Sequence, residues 1–589
     1  MTLRADPLGI PATATPGRDA RAAGLPFRFA VLLVALLGAA WSVKSGWDIV
    51  IIQQALPSPD SYTRLLRLLG SIDAGQLLHH VPRDNSAAIV PLHWTHLLDG
   101  VILLLALPLL PFMSLPEALR LAGAAVGPVT AAAAGIAAMH ALRAVSGRSD
   151  GAAIAGMLAV LATNVFCYAA FGRADHHILM GTLAILTVTL AHLSAERGRH
   201  LAAIAGVAAA LGVWTSPEAM PFALLGWAFA ILADTGRDGR IGARATAFAV
   251  GYLAMLAAAL VLDPPPAGLQ HIEMDRLSRP FVEQAALMAI AALIAARIVP
   301  AHAGWPAALW GAAVAGVALL PWVALYPDLL NGAQGVFSDE GWRRVWHDNA
   351  EIKSSFSSAG YFAFFFAQPL IVLTVAMIVV LKHRRGPIAV LAVVGTLFLL
   401  YIGAKHIRLA IYPQLAAAIA AGMLLARWTA AMPAARRRLV MALATLPLVV
   451  GPMIGLAAFS GTVQSIAVKD CTPRAAARDL APFAGKVVLS PYMDSPELLW
   501  FAPVQAVAGP YHRAERHILD SLDAYEARDF RDRMPDSFRK TGAAAVLVCP
   551  SQPQPRGSLG EALARGEAPA WLVEIAIGPA SGYRLYAAR

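Results

Sequence analysis

Three cysteines in 589 residues are too few for a disulfide framework. Charge is scarce as well: Asp, Glu, Lys and Arg together make up 14% of the chain, which excludes an ordinary water-soluble domain of this length. The polar residues 1–26 lack a convincing small-residue cleavage site and read as a retained cytoplasmic tail before an uncleaved first span. No internal repeat is evident either, whereas paired repeats mark many transporters.

What fills the chain is apolar. Hydrophobic residues make up 58% and the mean hydropathy is +0.59, a composition whose solvent is the membrane. The net charge of +10 and pI near 9.7 do not imply nucleic acid, because Lys and Arg gather in short connectors between apolar runs. Judged against about 20 residues per spanning helix, the runs 27–46, 118–142, 151–170, 178–195, 200–216, 219–233, 244–262, 281–297, 305–325, 359–381, 387–403, 408–426 and 438–460 predict about thirteen spans. The weakest is 219–233, whose approach is broken by Pro217, Glu218 and Pro221.

The short run 97–113, with Asp99, Pro108 and Pro111, decides the topology. Read as an interfacial or re-entrant helix, it puts Arg143/Arg148, Arg197/Arg199, Arg237/Arg240/Arg244, Lys382/Arg384/Arg385 and Arg427/Arg436/Arg437/Arg438 on the cytoplasmic side, as the positive-inside rule asks. The expectation is a multi-pass α-helical protein of a bacterial-type inner membrane, N-terminus inside, with a membrane domain over 27–460. Beyond it, β-rich runs at Lys486–Ser490, Gln505–Ala508 and Ala543–Cys549 alternate with helical stretches such as Leu519–Arg533. They predict a periplasmic α/β domain over 461–589. Cys471 and Cys549 both fall there, and an oxidising compartment would permit them to pair; Cys167 reads as a small core residue.

This topology collects the chemistry on one side. The outer loop 47–117 holds Asp60, Asp84 and His93, the connector Phe171–Ile178 holds Asp175, His176 and His177, and loop 326–358 holds Glu340, Asp348 and Glu351. Arg408 heads a late span. Asp175 and His177, with no partner encoded nearby, can turn toward one divalent cation, whose ligands are often carboxylate and imidazole. His176 is expected to face away from His177. Bland readings stand beside these: helix caps at Asp175 and Asp60, a snorkelling Arg408, and a membrane-belt anchor at His93 and Trp94. Glu218 fits a helix cap or the wall of a lipid-carrier groove, and Tyr511–Arg513 fits either an acceptor contact or a turn.

Together these residues resemble the catalytic subunits of oligosaccharyltransferases, within the C class of membrane glycosyltransferases. Asp60-Ser-Tyr-Thr-Arg64 looks like the family's first-loop acidic motif, and Asp175-His-His177 like its second, as written in archaeal members. Glu351 stands where the family's late-loop glutamate completes a metal site, and Arg408 where it holds the donor's phosphates. The resemblance implies Mg²⁺ or Mn²⁺ on Asp60, Asp175, His177 and Glu351, with Asp60, Asp175 and Glu351 as the catalytic acids. It also implies a polyprenyl-(pyro)phosphate-linked sugar donor and a protein or glycan acceptor. One departure concerns that acceptor. The family opens its soluble domain with Trp-Trp-Asp-Tyr-Gly, whereas this chain reads Pro491-Tyr-Met-Asp-Ser495. Of that motif only the aspartate, Asp494, survives; Asp494, His93 and Glu218 are candidate acceptor or groove residues, and asparagine glycosylation is in question. The alternatives are a transporter or flippase of lipid-linked glycans, or a related aminoarabinose- or mannosyltransferase.

Overall fold

A computed structural model describes residues 24–237, 242–298, 305–328, 337–347, 349–383, 386–458 and 471–589. The tail 1–23, Arg240, Asp348, Arg384, Arg385 and the end of the last expected span lie outside the described residues. Ten helices among the described residues are long and apolar enough to cross a membrane: Phe27–Lys44, Leu115–Ser146, His177–Arg197, Ala243–Leu262, Arg279–Ile298, Ala308–Leu325, Ala359–His383, Pro387–Lys405, Ile407–Trp428 and Ala434–Gly455. Two further expected spans are the helices Arg199–Thr215 and Met220–Arg237. The latter forms because Pro217 and Glu218 are taken up in a preceding 3₁₀ turn.

One expected span is corrected. The run 151–170 is not continuous but two helices, Ser149–Val160 and Thr163–Tyr168. The break coincides with a buried polar network: Asn164 N–H donates to Gln414 Oε1 (3.0 Å), while Gln414 Nε2 donates to Thr163 Oγ1 (2.8 Å). These contacts satisfy backbone and amide groups that lipid cannot.

Elsewhere the bundle packs through small residues, as helices do where lipid gives no apolar drive. A Cβ on Gly151 would lie 2.6 Å from Gly422 O, so those two helices touch along their backbones. The helix Leu97–Ala106 has ten residues, about 15 Å at 1.5 Å per residue, too short for a core of about 30 Å. It buries Leu98, Asp99 and Ile102 and exposes Leu104.

The helix Leu115–Ser146, about 48 Å long, separates two faces. Near its end, Arg197 donates to Ala144 O (3.4 Å), and Arg437 pairs with Asp150 (3.3 Å) at the start of the helix that follows. Near its start, Arg120 donates to Val50 O (2.7 Å), and Arg474 of the C-terminal part reaches Gln54 (2.9 Å). Basic connectors and the C-terminal domain therefore sit at opposite ends.

That domain is a five-stranded mixed sheet of β1 (Val487–Leu489), β2 (Gln505–Ala506), β3 (Ala545–Val548), β4 (Leu572–Ile575) and β5 (Arg584–Ala588), in the order β2-β1-β3-β5-β4. The first three strands fall on the expected runs; β4 and β5 were not anticipated. The helix expected over Leu519–Arg533 is Glu515–Glu526, ending before the Arg/Asp-rich tail. Cys471 and Cys549 form a disulfide.

The first loop clasps the sheet edge. Asp84 bridges to Ala506, with Ala506 N–H donating to Arg83 O (2.9 Å) and Ser86 N–H to Ala506 O (3.1 Å). Arg83, Asn85 and Ser86 adopt positive φ there, a strained conformation that the contact supports.

Candidate functional site

Asp60 is the second residue of the helix Pro59–Ala74. Ser61 locks this helix to the 171–177 connector: its Oγ donates to Gly172 O and accepts from Ala174 N–H, both at 2.9 Å. Gly172 has φ +101°, and a Cβ there would lie 2.4 Å from Pro57 Cδ, so the approach requires glycine. The connector thus sets Asp175 beside the helix start that carries Asp60.

Asp175 Oδ1 accepts from the backbone N–H (2.9 Å) and ring Nδ1 of His177, and Oδ2 accepts from Arg173 Nη2 (3.2 Å). The aspartate therefore does have a partner nearby, Arg173, contrary to the sequence expectation. The same Arg173 nitrogen donates to Glu351 Oε1 (3.2 Å). Glu351 is carried in by backbone bonds from Arg408 N–H to Glu351 O (3.1 Å) and from Ile407 N–H to Lys353 O (2.9 Å). Arg408 in turn forms an ion pair with Glu218.

These groups line one cavity of about 550 Å³ between the bundle and the C-terminal domain. Asp60, His93, Asp175, His177, Glu218, Glu351 and Arg408 all face it, joined by Arg64, His176, Tyr511 and His512. His176 does not turn away: it is the N-cap and His177 the first residue of the helix His177–Arg197, and their rings lie 4.5 Å apart. Asp494 is not at the cavity. It is buried in the C-terminal domain, where it accepts from Tyr583 Oη (2.7 Å), a structural role. Glu340 pairs with Arg344 (3.0 Å), which also binds Asp523 (2.7 Å).

The electrostatics are uneven. Burial, followed by the charges of Glu351 and Asp175, pushes the Asp60 carboxyl up to about 7 despite Arg173 and Arg64. Burial also acts upward on Asp175, but His177 and Arg173 hold it well below the usual carboxylate range. No hydrogen-bond donor among the described residues reaches the Asp60 side chain. The ligand atoms of Asp175, His176 and His177 lie within 4.8 Å of one another. Crowded carboxylates beside imidazoles, one lacking a donor, form a set that suits a divalent ion. His79, His96 and Asp263 are equally close together, but they do not line this cavity. His96 bonds Asp263 (2.7 Å) and Leu78 O (2.9 Å), and Arg276 holds both Asp263 and His79 Nδ1, a purely structural clasp.

Sequence reading missed Arg173 as the bridge between two acids, the Glu218–Arg408 pair, and Arg64, which is held by Asp99 (2.9 Å). Arg64 and Arg173 both carried a signal: Arg64 stands one turn after Asp60 on the same helix, and Arg173 two residues before Asp175 in the same connector.

The architecture is the C-class membrane glycosyltransferase fold with an added C-terminal domain. It is similar to archaeal oligosaccharyltransferase AglB from Archaeoglobus fulgidus in complex with an inhibitory peptide and a dolichol-phosphate. The TM-score is 0.64 at 14% identity, over 96% of this chain and 74% of that one. A complex of the same oligosaccharyltransferase with Zn and sulfate gives a TM-score of 0.62 at 14% identity, over 95% and 73%. Its form tethered to an acceptor peptide with the NVT sequon gives 0.64 at 14% identity, over 90% and 69%. No protein-family model matches the chain, and no curated protein matches it by sequence.

Proposed function

We propose that this protein is a membrane glycosyltransferase that moves a sugar or oligosaccharide from a polyprenyl-(pyro)phosphate donor to an acceptor outside the cytoplasm. Residues 27–460 form the membrane catalytic unit and 461–589 a periplasmic domain. The observation that carries the reading is the meeting of Asp60, Asp175, His177, Glu351 and Arg408, from separate segments, on one cavity. The likeness in fold to a protein solved with dolichol-phosphate supports the choice of donor.

Arg408 binds the donor's phosphate through its guanidinium, a fixed charge with forked donors, while Glu218 sets the angle of the group. Arg173 holds Asp175 and Glu351 in place. Asp60, Asp175, His177 and Glu351 would hold a divalent ion, which would supply Lewis-acid stabilisation of the leaving phosphate. The segment Tyr511–His512, rather than Asp494, forms the acceptor side of the cavity.

The test is release of lipid phosphate from a polyprenyl-linked sugar pool by purified protein, with and without Mn²⁺. Asp175→Ala is expected to lose at least about 100-fold, the scale of a lost charge-stabilising group. Equal rates in that variant, or rates indifferent to chelator, would overturn the assignment.

A further inference from the structure

One arrangement on the cavity wall is built but not used by the groups above. His512 Nε2 lies 2.6 Å from Asp275 Oδ2. Asp275 is itself gripped by Arg513, through Nε at 2.9 Å and Nη2 at 2.5 Å, and Arg513 Nη2 also reaches Glu273 (2.8 Å). The imidazole comes from the C-terminal domain, and the carboxylates come from the connector between two membrane helices. With the Nε2 proton given to Asp275, the free lone pair lies on Nδ1. That nitrogen has no hydrogen-bond partner among the described residues. His512 lines both the 550 Å³ cavity and a second groove of about 540 Å³ that opens to solvent; Met274 and Asp275 also face both. The ring packs on His93 with centroids 4.2 Å apart. Burial, then the nearby His512, holds His93 well below the usual imidazole range, so His93 does not compete for a proton.

We infer that His512 is the general base for an alcohol acceptor that enters through the solvent-open groove, so the group glycosylated is a hydroxyl rather than a carboxamide. This rests on the glycosyltransferase reading. The acceptor oxygen bonds to the anomeric carbon and its proton passes to His512 Nδ1. The bond from that carbon to the phosphate oxygen breaks, its electron pair leaving on the lipid phosphate. An imidazole paired with a carboxylate suits a hydroxyl proton near neutral pH. A carboxamide nitrogen is a poor nucleophile because its lone pair is delocalised into the carbonyl, and a base alone does little to localise it. Asp275 and Arg513 are positioning residues: they fix the tautomer and the ring.

The charged and titratable groups facing His512 are Asp275 and Glu273 from the connector, His93 from the first loop, and Arg513 and Glu515 from its own segment. The experiment uses full-length protein in nanodiscs with Mn²⁺ and a sugar-labelled undecaprenyl-linked pool. The acceptors offered are a Ser/Thr peptide, a hexose-terminated oligosaccharide and an Asn-sequon peptide, from pH 5.5 to 9. Wild type is expected to label a hydroxyl acceptor with a rate that climbs tenfold per pH unit on the acid side. His512→Gln is expected to lose at least about 100-fold in transfer, together with that acid limb. Added imidazole should restore part of the rate in His512→Ala, which a merely structural role would not allow. Asp275→Asn should lower kcat while leaving KM for the acceptor near wild type, since the ring stays in the wall but loses the group that fixes its tautomer. Transfer by His512→Gln at the wild-type rate with its limb intact, or use of the sequon peptide alone, overturns the inference while leaving the parent reading standing. If wild type releases no lipid phosphate with any acceptor and Asp175→Ala changes nothing, both fall.

Discussion

Arg173 and Glu351 stand 178 positions apart and meet in an ion pair at 3.2 Å, on a nitrogen that Asp175 shares. One guanidinium thus counters two acids, with the Asp60 carboxylate close enough to feel all three groups. Removing it leaves like charges facing one another. Arg173→Gln is expected to lower the thermal midpoint in chelator, by an amount equivalent to roughly 1–3 kcal/mol for charged hydrogen bonds. Mn²⁺ should recover more of the loss than it adds to wild type. A variant as stable as wild type in chelator would show that the arginine does not hold this site together.

Arg408 and Glu218 form the second such pair, and on the proposed function they bear on donor binding. Arg408→Lys keeps the charge but loses the planar fork, so kcat/KM for the donor is expected to fall about 10–100-fold, most of it in KM. Glu218→Gln should weaken donor binding less, because Arg408 keeps its charge and loses only its anchor. Groups in contact do not act independently: the double variant should depart from additivity by about 1–2 kcal/mol. Strict additivity in steady-state kinetics would mean that the pair has no shared role.

How far the sequence could be read follows from what each feature depends on. Spans were legible because apolar length is a local property, and the gathering of Asp60, Asp175, Glu351 and Arg408 at one place followed from where their loops stand between those spans. The split at Leu161–Ala162 was not, since it depends on Gln414 arriving from another helix. Asp494 misled because a motif position marks place in the chain and says nothing of which way the carboxylate turns. Here it turns inward to Tyr583. The segment Tyr511–Arg513 could be singled out as an acceptor contact or a turn, but His512's pairing with Asp275 could not, because that partner lies in a different part of the chain.

Asp84 offers a test through pH. It lies where the first loop clasps the sheet, accepting from Tyr511 Oη (2.9 Å), and burial pushes its carboxyl from 3.8 up to about 7. The folded state therefore holds the proton more tightly than the unfolded chain. Its contribution to stability is fullest below pH 3.8, erodes as pH rises to 7, and is flat beyond. At about 1.4 kcal/mol per pH unit, the span amounts to several kcal/mol. Asp84→Asn should abolish that slope, seen in midpoints measured from pH 4 to 8. A slope unchanged in the variant would place the titration elsewhere.

The disulfide between Cys471 and Cys549 ties the point where the chain enters the C-terminal domain to the end of β3. It closes a loop of 78 residues, for which chain entropy gives an upper figure of about 4 kcal/mol. The cavity wall does not depend on it: Tyr511 is held by Asp84 and Asn85, and Arg513 by Asp275 and Glu273. Replacing both cysteines with serine should therefore lower the thermal midpoint while leaving activity at 25 °C near wild type. Reductant should bring wild type down to the variant and leave the variant unmoved. Counting thiols by mass tag under denaturing conditions checks the bond itself. Cys167 alone should react before reduction and all three cysteines after it. Three tags on the unreduced protein would mean that the bridge is not made, and any fall in the double variant's midpoint would then have to come from the loss of two buried side chains.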